Sequence, residues 1–470
     1  MLKPSQRSGA QAYSGLLTIT GSIVMNDLSK PLQSRLIAFL FAFGLTLYIT
    51  VASALMSLIG IPYTEPIGNP IFKINLATYL LLGVFVLAHF MRGNPIRSVA
   101  HEFSRHKPIA AYFLVTVMLI IYSVMRYGPA GAAFIVDTLM MPAVCAMLML
   151  MFDLRFQKRI LLLIIGLLVI NSLIAIGEAL VETNLIPYTV AGKVTLELYM
   201  FRSTALLGHP LKNALITGAV MMLVLTLRIG ILSRILLLGV MFLSLIGYGG
   251  RTSFVLVIIM LTVYGLSVAS SNLVHGRYHY LRIMSGIVGA FFALALIIGL
   301  IVGAGIGERL FETITKWDNS ASVRVNNWAA LDFMNTADIL FGMSPTAIEN
   351  IVYRLSLIYE LGVIENFWLG LLMQLGVVGL VPFIFALGYI LWYFWRNSSA
   401  PGRMAIIFFF LAASTNNALS TKNIGLIVLF VGLIGAAAYA RMPRTAVQVP
   451  PLRYPPPRTF RSPNRAQIPV

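Results

Sequence analysis

Charge is what this chain has least of. Only 11% of its 470 residues are Asp, Glu, Lys or Arg, against 59% hydrophobic, and the 16 acids are outnumbered by 34 bases. A soluble protein of this length needs far more charge to cover its surface, so the scarcity excludes one and leaves a polytopic membrane protein. Cysteine is all but absent. Cys145 stands alone in an apolar run, so no disulfide within the chain can tie a loop. There is no Walker, zinc or dinucleotide-binding motif, and no repeat that would mark the inverted halves of a transporter. Residues 1–30 lack the basic, apolar and small-residue segments of a cleavable signal, and Met25-Asn26-Asp27 before Lys30 and Arg35 reads as a natural start. The net charge of +18 would suit nucleic acid in a soluble protein, but in a membrane protein its distribution decides, and no nucleic-acid partner is expected.

What is present is apolar sequence in membrane-length runs. Twelve spans are expected, at about 36–60, 74–91, 108–125, 131–152, 160–180, 211–227, 230–248, 251–270, 283–304, 366–395, 403–418 and 424–440. The tenth is too long for one crossing, and a kink is expected at Pro382. With both termini in the cytoplasm, 23 of the 34 Lys and Arg fall on the inner side, which satisfies the positive-inside bias. Arg92, Arg97, Arg105 and Lys107 fall in one inner loop of that arrangement. The expected fold is therefore all-α and polytopic, with about 12 transmembrane helices and one large outer loop.

The segments divide as follows. Residues 1–35 form a cytoplasmic N-terminal segment, 36–304 hold spans one to nine, 305–365 the large outer loop and 366–440 the last three spans. Residues 441–470, with eight prolines and six arginines, form a disordered cytoplasmic tail suited to anionic headgroups.

Candidate site residues lie where spans start on the outer side. Arg202 precedes Gly208-His209-Pro210, with the proline at the first turn of span six. Gly249-Gly250 makes a tight turn that pins Arg251 at the membrane edge, with Thr252 or Ser253 expected to cap the next helix. Glu365-Asn366 opens the tenth span, ahead of Trp368, expected as an interfacial belt residue, and of Gly376 and Gly379, expected as close-packing positions. In the outer loop Val325, Trp328 and Leu331 share a helical face beside Arg324, Phe341-Gly342 reads as a turn, and Arg354 adds a further cation. Helix N-termini and arginine forks together suit a phosphate or diphosphate. Nucleotide-activated donors are made in the cytoplasm, so an outer site points to a lipid-linked phosphate. Each residue also has a plainer reading: Arg202 as a solvated loop cation, Arg251 as a snorkelling side chain, Glu365 and Asn366 as caps. Asp137, inside span four, is either functional or a carboxylate paired with something like Arg126.

In this order the motifs resemble the O-antigen ligase and Wzy-type polysaccharide polymerase superfamily, in its exopolysaccharide-synthesis branch. The resemblance covers roughly residues 195–400 and rests on Arg202 with Gly208-His209-Pro210, Gly250-Arg251-Thr252-Ser253-Phe254, Arg324 with Trp328, Phe341-Gly342, Glu365-Asn366 and Gly376-Val377-Val378-Gly379. It implies a GT-C-like glycosyltransferase of the bacterial inner membrane whose large loop is periplasmic. Such enzymes move a glycan from a polyprenyl diphosphate carrier to an acceptor hydroxyl, with no cofactor and no metal. The implied partners are the polyprenyl-diphosphate-linked oligosaccharide, the acceptor glycan, the lipid bilayer and other polysaccharide export components. The implied roles are Glu365 as catalytic base, with Arg202, His209, Arg251, Arg324, Arg354 and Asn366 as substrate contacts. The ligases carry His-Asn where this chain has Glu365-Asn366, which favours a polymerase over a ligase acting on lipid A-core or protein. A polysaccharide flippase is the alternative from another class.

Overall fold

The structure, a computed structural model, describes residues 31–32, 34–63, 69–187, 189–190, 193–194, 201–274, 326–359, 364–417 and 419–442. The expected ninth span at 283–304, Arg324, Val325 and the tail from 443 lie outside the described residues.

The described chain is helical apart from one two-residue ladder, Thr189–Val190 against Lys193–Val194. Its helices are α1 Arg35–Thr50, α2 Ser53–Leu58, α3 Leu76–Phe90, α4 Pro95–Arg105, α5 Lys107–Tyr127, α6 Gly131–Met151, α7 Leu154–Val181 and α8 Pro210–Val224. There follow α9 Ile231–Gly247, α10 Arg251–Val274, α11 Thr336–Phe341, α12 Pro345–Tyr359, α13 Phe367–Asn397, α14 Ala400–Ala413 and α15 Gly425–Arg441. Helices dominate because a lipid-embedded backbone must satisfy its own N–H and C=O groups. Among the described residues, five helices are long and apolar enough to cross a membrane, or six if the bent pair α3–α4 counts as one. This is the architecture of a multi-pass membrane protein. Helices lie along the expected spans on described residues, but the first is broken into α1 and α2, and α1, α3, α8, α9, α14 and α15, at 14–17 residues, are by themselves too short to count as crossings.

Burial ranks the helices. In α6, 89% of the apolar stretch is buried, against 17% in α10, so α6 is the central post and α10 faces outward. Around α6 pack α15, α5 and α3, while α14 lies along α8 and α13 along α5. Small residues permit the close approaches: Gly435 sits where a Cβ would lie 2.7 Å from that of Leu161, and Gly218 lies under the Phe408 ring.

Three expectations about local structure change. The segment carrying Arg92 and Arg97 is not an open loop: α4 turns 102° from α3, and the buried Arg92 guanidinium donates to Glu102 at 2.5 Å. Such a pair satisfies two charges that the apolar surroundings would otherwise expel. Residues 327–333 form a 3₁₀ helix, whose period of three buries Asn327 and Ala330 and leaves Trp328 half exposed. The long helix α13 breaks at Gly376 rather than at Pro382, which stays within helix.

The break has a cause. Gly376 has φ +62° and ψ 178°, a conformation open essentially to glycine alone. It frees the Met373 carbonyl, which accepts the Met343 N–H at 2.7 Å from the Phe341-Gly342 turn. Gly342 also has positive φ, and a Cβ there would lie 2.6 Å from the Gln374 carbonyl oxygen. Two glycines thus let loop and helix meet backbone to backbone, and the Tyr122 and Tyr127 hydroxyls of α5 both donate to the Phe341 carbonyl, at 2.5 and 2.8 Å. A second small core, including Met343, Ile351, Leu355 and Met373, holds α12 against the first half of α13.

Candidate functional site

Arg202 is positioned by a loop that a single carboxylate organises. Glu178, near the end of α7, accepts the backbone N–H groups of Leu185, Thr204 and Ala205 at 2.7–2.9 Å. Asn171 accepts the Leu206 N–H at 2.9 Å and donates to Asn213 and to the Tyr248 hydroxyl, each at 2.8 Å. Ser203 donates its N–H to Gly247 and its hydroxyl to Ala175. With so many backbone groups pinned, Ala205 is held at φ +42° and the Arg202 side chain lies across the next turn. A Cβ at Gly249 would lie 3.7 Å from the Arg202 Nε, so the structure brings Arg202 to the glycine turn that carries Arg251.

Arg251 is the first residue of α10, so Thr252 and Ser253 lie within its first turn and neither caps it. Arg251 therefore stands at a helix N-terminus that is itself partly positive. His209 stands at the N-cap of α8, where burial pushes its imidazole down to about 3, with Lys212 adding to the shift. It is neutral at physiological pH, able to hydrogen-bond a ligand but not to attract one by charge.

At the foot of α13, Asn366 is a cap: its Oδ1 accepts the N–H groups of Trp368 and Leu369 at 3.0 and 3.3 Å. Glu365, next to it, is half-buried. The Trp368 indole N–H donates to Ser414 at 3.2 Å and its ring packs on Phe367. Arg354 is exposed on α12, and Arg324 lies outside the described residues.

Asp137 is not paired with Arg126. The Asp137 carboxylate, buried in a π-helical stretch of α6, accepts the Tyr63 hydroxyl at 2.8 Å, the Thr78 hydroxyl at 2.6 Å and the Asn75 N–H at 3.1 Å. Arg126 instead lies over the rings of Tyr127 and Phe341, 5.6 and 5.1 Å from their centroids.

Beside Asp137 the structure holds a site the sequence did not reveal. Two adjoining cavities of about 30 and 380 Å³ share Ser53, Lys212 and Lys422 as lining. The smaller is also lined by Asp137 and Tyr63, the larger by Lys73, Glu349 and Gln374. The Lys422 ammonium sits 4.0 Å from the Tyr63 ring centroid and donates to the carbonyls of Tyr63 and Lys73. Lys212 in turn donates to the Lys422 carbonyl at 2.7 Å. Carbonyl partners orient an ammonium without neutralising it. Burial pushes Lys422 down to about 8, opposed by Asp137 and reinforced by Lys73 and Lys212. The one signal in the sequence was that the expected topology puts Lys73, Lys212 and Lys422 all on its outer side, against the general bias. Among the described residues no group of three or more His, Cys, Asp or Glu could hold a metal ion.

No family model matches the chain, and no curated protein matches it.

Proposed function

We propose that this protein is a glycosyltransferase of the bacterial inner membrane, a polysaccharide polymerase with twelve crossings and a GT-C-like fold. It extends a glycan by transfer from a polyprenyl diphosphate carrier at the periplasmic face. The observation that carries the reading is Arg202 laid over Gly249 beside Arg251, on a loop that Glu178 holds rigid. Two guanidinium forks at a membrane-edge turn suit a diphosphate better than any neutral ligand.

In the proposed reaction Glu365 takes the proton of the acceptor hydroxyl. The oxygen attacks the anomeric carbon from the face opposite the diphosphate, and the carbon–oxygen bond to phosphate breaks with inversion. The electron pair leaves with the polyprenyl diphosphate, whose charge Arg202 and Arg251 stabilise, and Glu365 returns its proton to water. His209, neutral, donates a hydrogen bond, and the Asn366 amide nitrogen remains available to the acceptor while its oxygen caps the helix. Arg324 and Arg354 are assigned to outlying glycan contacts.

Purified protein in lipid nanodiscs, given polyprenyl-linked repeat units and EDTA, is expected to produce a ladder of longer lipid-linked chains. Transfer of whole chains to an added acceptor lipid, with no ladder, would mark a ligase instead. Cysteines introduced at Thr346 and Ser104, both exposed, test the orientation: an impermeant thiol reagent is expected to label the first and not the second in intact spheroplasts.

A further inference from the structure

The two ends of the helix bundle carry charge unequally. At the end that holds Arg202 and the lysine cleft, acids stand among the cations: Glu178 pins the Arg202 loop, and Asp137 and Glu349 line the cavities. The opposite end is gathered by contacts of its own. The Arg92 guanidinium donates to the Met151 carbonyl at 3.3 Å, tying the corner of α3 and α4 to the end of α6. Lys158 lies 4.9 Å from the Tyr439 ring centroid, and Arg228 donates to the Ala440 and Met442 carbonyls, so the start of α7 and the turn after α8 both meet the end of α15. Among the described residues Arg97, Arg105, Lys107, Arg155, Arg159 and Arg441 are exposed on that end, and none is in a salt bridge. Only two described acids share it, and both are committed: Glu102 is paired with Arg92, and Asp153 caps α7 by accepting the Phe156 N–H at 2.9 Å.

The apolar neighbours of these cations say which anion they meet. Helix α4 turns 102° from α3, so it runs across the end of the bundle and not through it, and it buries Ser98 and Glu102 against the protein. Ile96, 79% exposed, sits next to Arg97, and the exposed Phe90 and Met91 lead into the same corner. At the end of α13 Trp392 is 58% exposed under the Arg396 guanidinium, which lies 5.8 Å from its ring centroid, and Arg403 lies 5.6 Å from that of Trp395. A crosswise helix and exposed tryptophans mark the level where acyl chains give way to headgroups. A soluble polyanion would satisfy the cations and leave Ile96 and Trp392 in water; a phospholipid satisfies both. The two halves of this surface meet at Tyr393, whose hydroxyl lies 3.5 Å from His106 Nδ1 and feels the charges of both Arg105 and Arg441. His106 and Lys107 open α5, whose N-terminus adds partial positive charge.

We infer that this end of the protein is a docking surface for anionic phospholipid, with Arg105 and Arg441, beside Tyr393, holding a headgroup phosphate and Arg97 and Lys107 flanking it. The inference goes beyond the transfer reading and holds whether or not the protein moves a sugar.

Native mass spectrometry of the full-length protein in neutral detergent tests it, with phosphatidylglycerol and phosphatidylcholine of the same acyl chains added in equal amounts. Phosphatidylglycerol is expected to be retained in preference, less so as salt rises. The double variant Arg105→Gln, Arg441→Gln is expected to lower that preference about tenfold or more, the worth of two cations at a charged membrane surface. Arg105→Lys with Arg441→Lys, which keeps both charges, is expected to retain most of it, and Arg354→Gln, at the other end of the bundle, all of it. Should the double variant not fold, Arg97→Gln with Lys107→Gln is expected to lower the preference in the same direction. Equal retention of the two lipids overturns the inference, as does an unchanged preference in a neutralised variant that melts like the wild type. An equal loss from Arg354→Gln overturns it too, since the attraction then belongs to net charge and not to this surface. Glycerol 3-phosphate is expected not to displace phosphatidylglycerol; displacement would make the site one for a soluble phosphate and end the lipid assignment.

Discussion

Two clusters of positive charge lie side by side in this protein, and they are built on opposite plans. Arg202 lies against Gly249, in the glycine turn that precedes Arg251, on a short loop whose backbone is pinned by Glu178, Asn171 and Gly247. Lys73, Lys212 and Lys422 come from segments as much as 349 residues apart, and the ammonium of one lysine is held by the carbonyl of the next. The arginine cluster is a rigid two-pronged clamp, and the lysine cluster a set of point charges that shares its cavities with Asp137 and Glu349. A fixed leaving group needs the first.

The comparison breaks most sharply at the base. Glu365→Gln keeps shape and removes the proton acceptor, so turnover is expected to fall by about 10²–10⁴-fold while affinity for donor stays unchanged. Normal turnover in that variant would leave Glu365 a structural neighbour of the Asn366 cap. Next in size is Arg202→Lys or Arg251→Lys. Each is expected to weaken donor binding by roughly 10–100-fold, the worth of charge-assisted hydrogen bonds lost when the fork is replaced by a point charge. The converse exchange, Lys212→Arg, is expected to cost little, and equal damage from both exchanges would erase the distinction between the clusters.

Gly376→Ala probes what joins the large loop to α13. Alanine at φ +62° is strained, and its Cβ would lie 2.5 Å from the Phe341 carbonyl carbon. The expected loss is about 1–3 kcal/mol, read as a lower melting temperature in nanodiscs, with the Met343–Met373 hydrogen bond the first to go. Pro382→Ala is the control, expected to leave melting nearly unchanged because the break does not depend on it. The smallest effect is on pH. Lys422, faced by Asp137, Tyr63, Lys73 and Lys212, is held down to about 8, so it is charged below that pH and neutral above it. Donor binding at the guanidinium groups is expected to hold steady as pH rises through 8 and the lysine cluster loses that charge. A fall in donor affinity over that range would place Lys422 among the donor's contacts.

Membrane-length apolar runs determined the helices, because lipid admits few other ways to satisfy a backbone. Glycine turns such as Gly249-Gly250 and Phe341-Gly342 were legible for a similar reason, since their conformations belong to residue type. The approach of Arg202 to the turn before Arg251 could be suspected because both residues flank span ends that the expected topology puts on one side. Other features were decided only by packing. Whether α13 bent at Pro382 or at Gly376 depended on a loop some thirty residues away that offered an amide to the Met373 carbonyl. The partners of Asp137 were set by Tyr63, Asn75 and Thr78, all more than fifty residues distant in sequence. The lysine cleft is the extreme case. No spacing links Lys73, Lys212 and Lys422, and they meet only where the ends of α3, α8 and α15 are brought to one cavity, because charge, unlike helix periodicity, acts through space and leaves no local pattern.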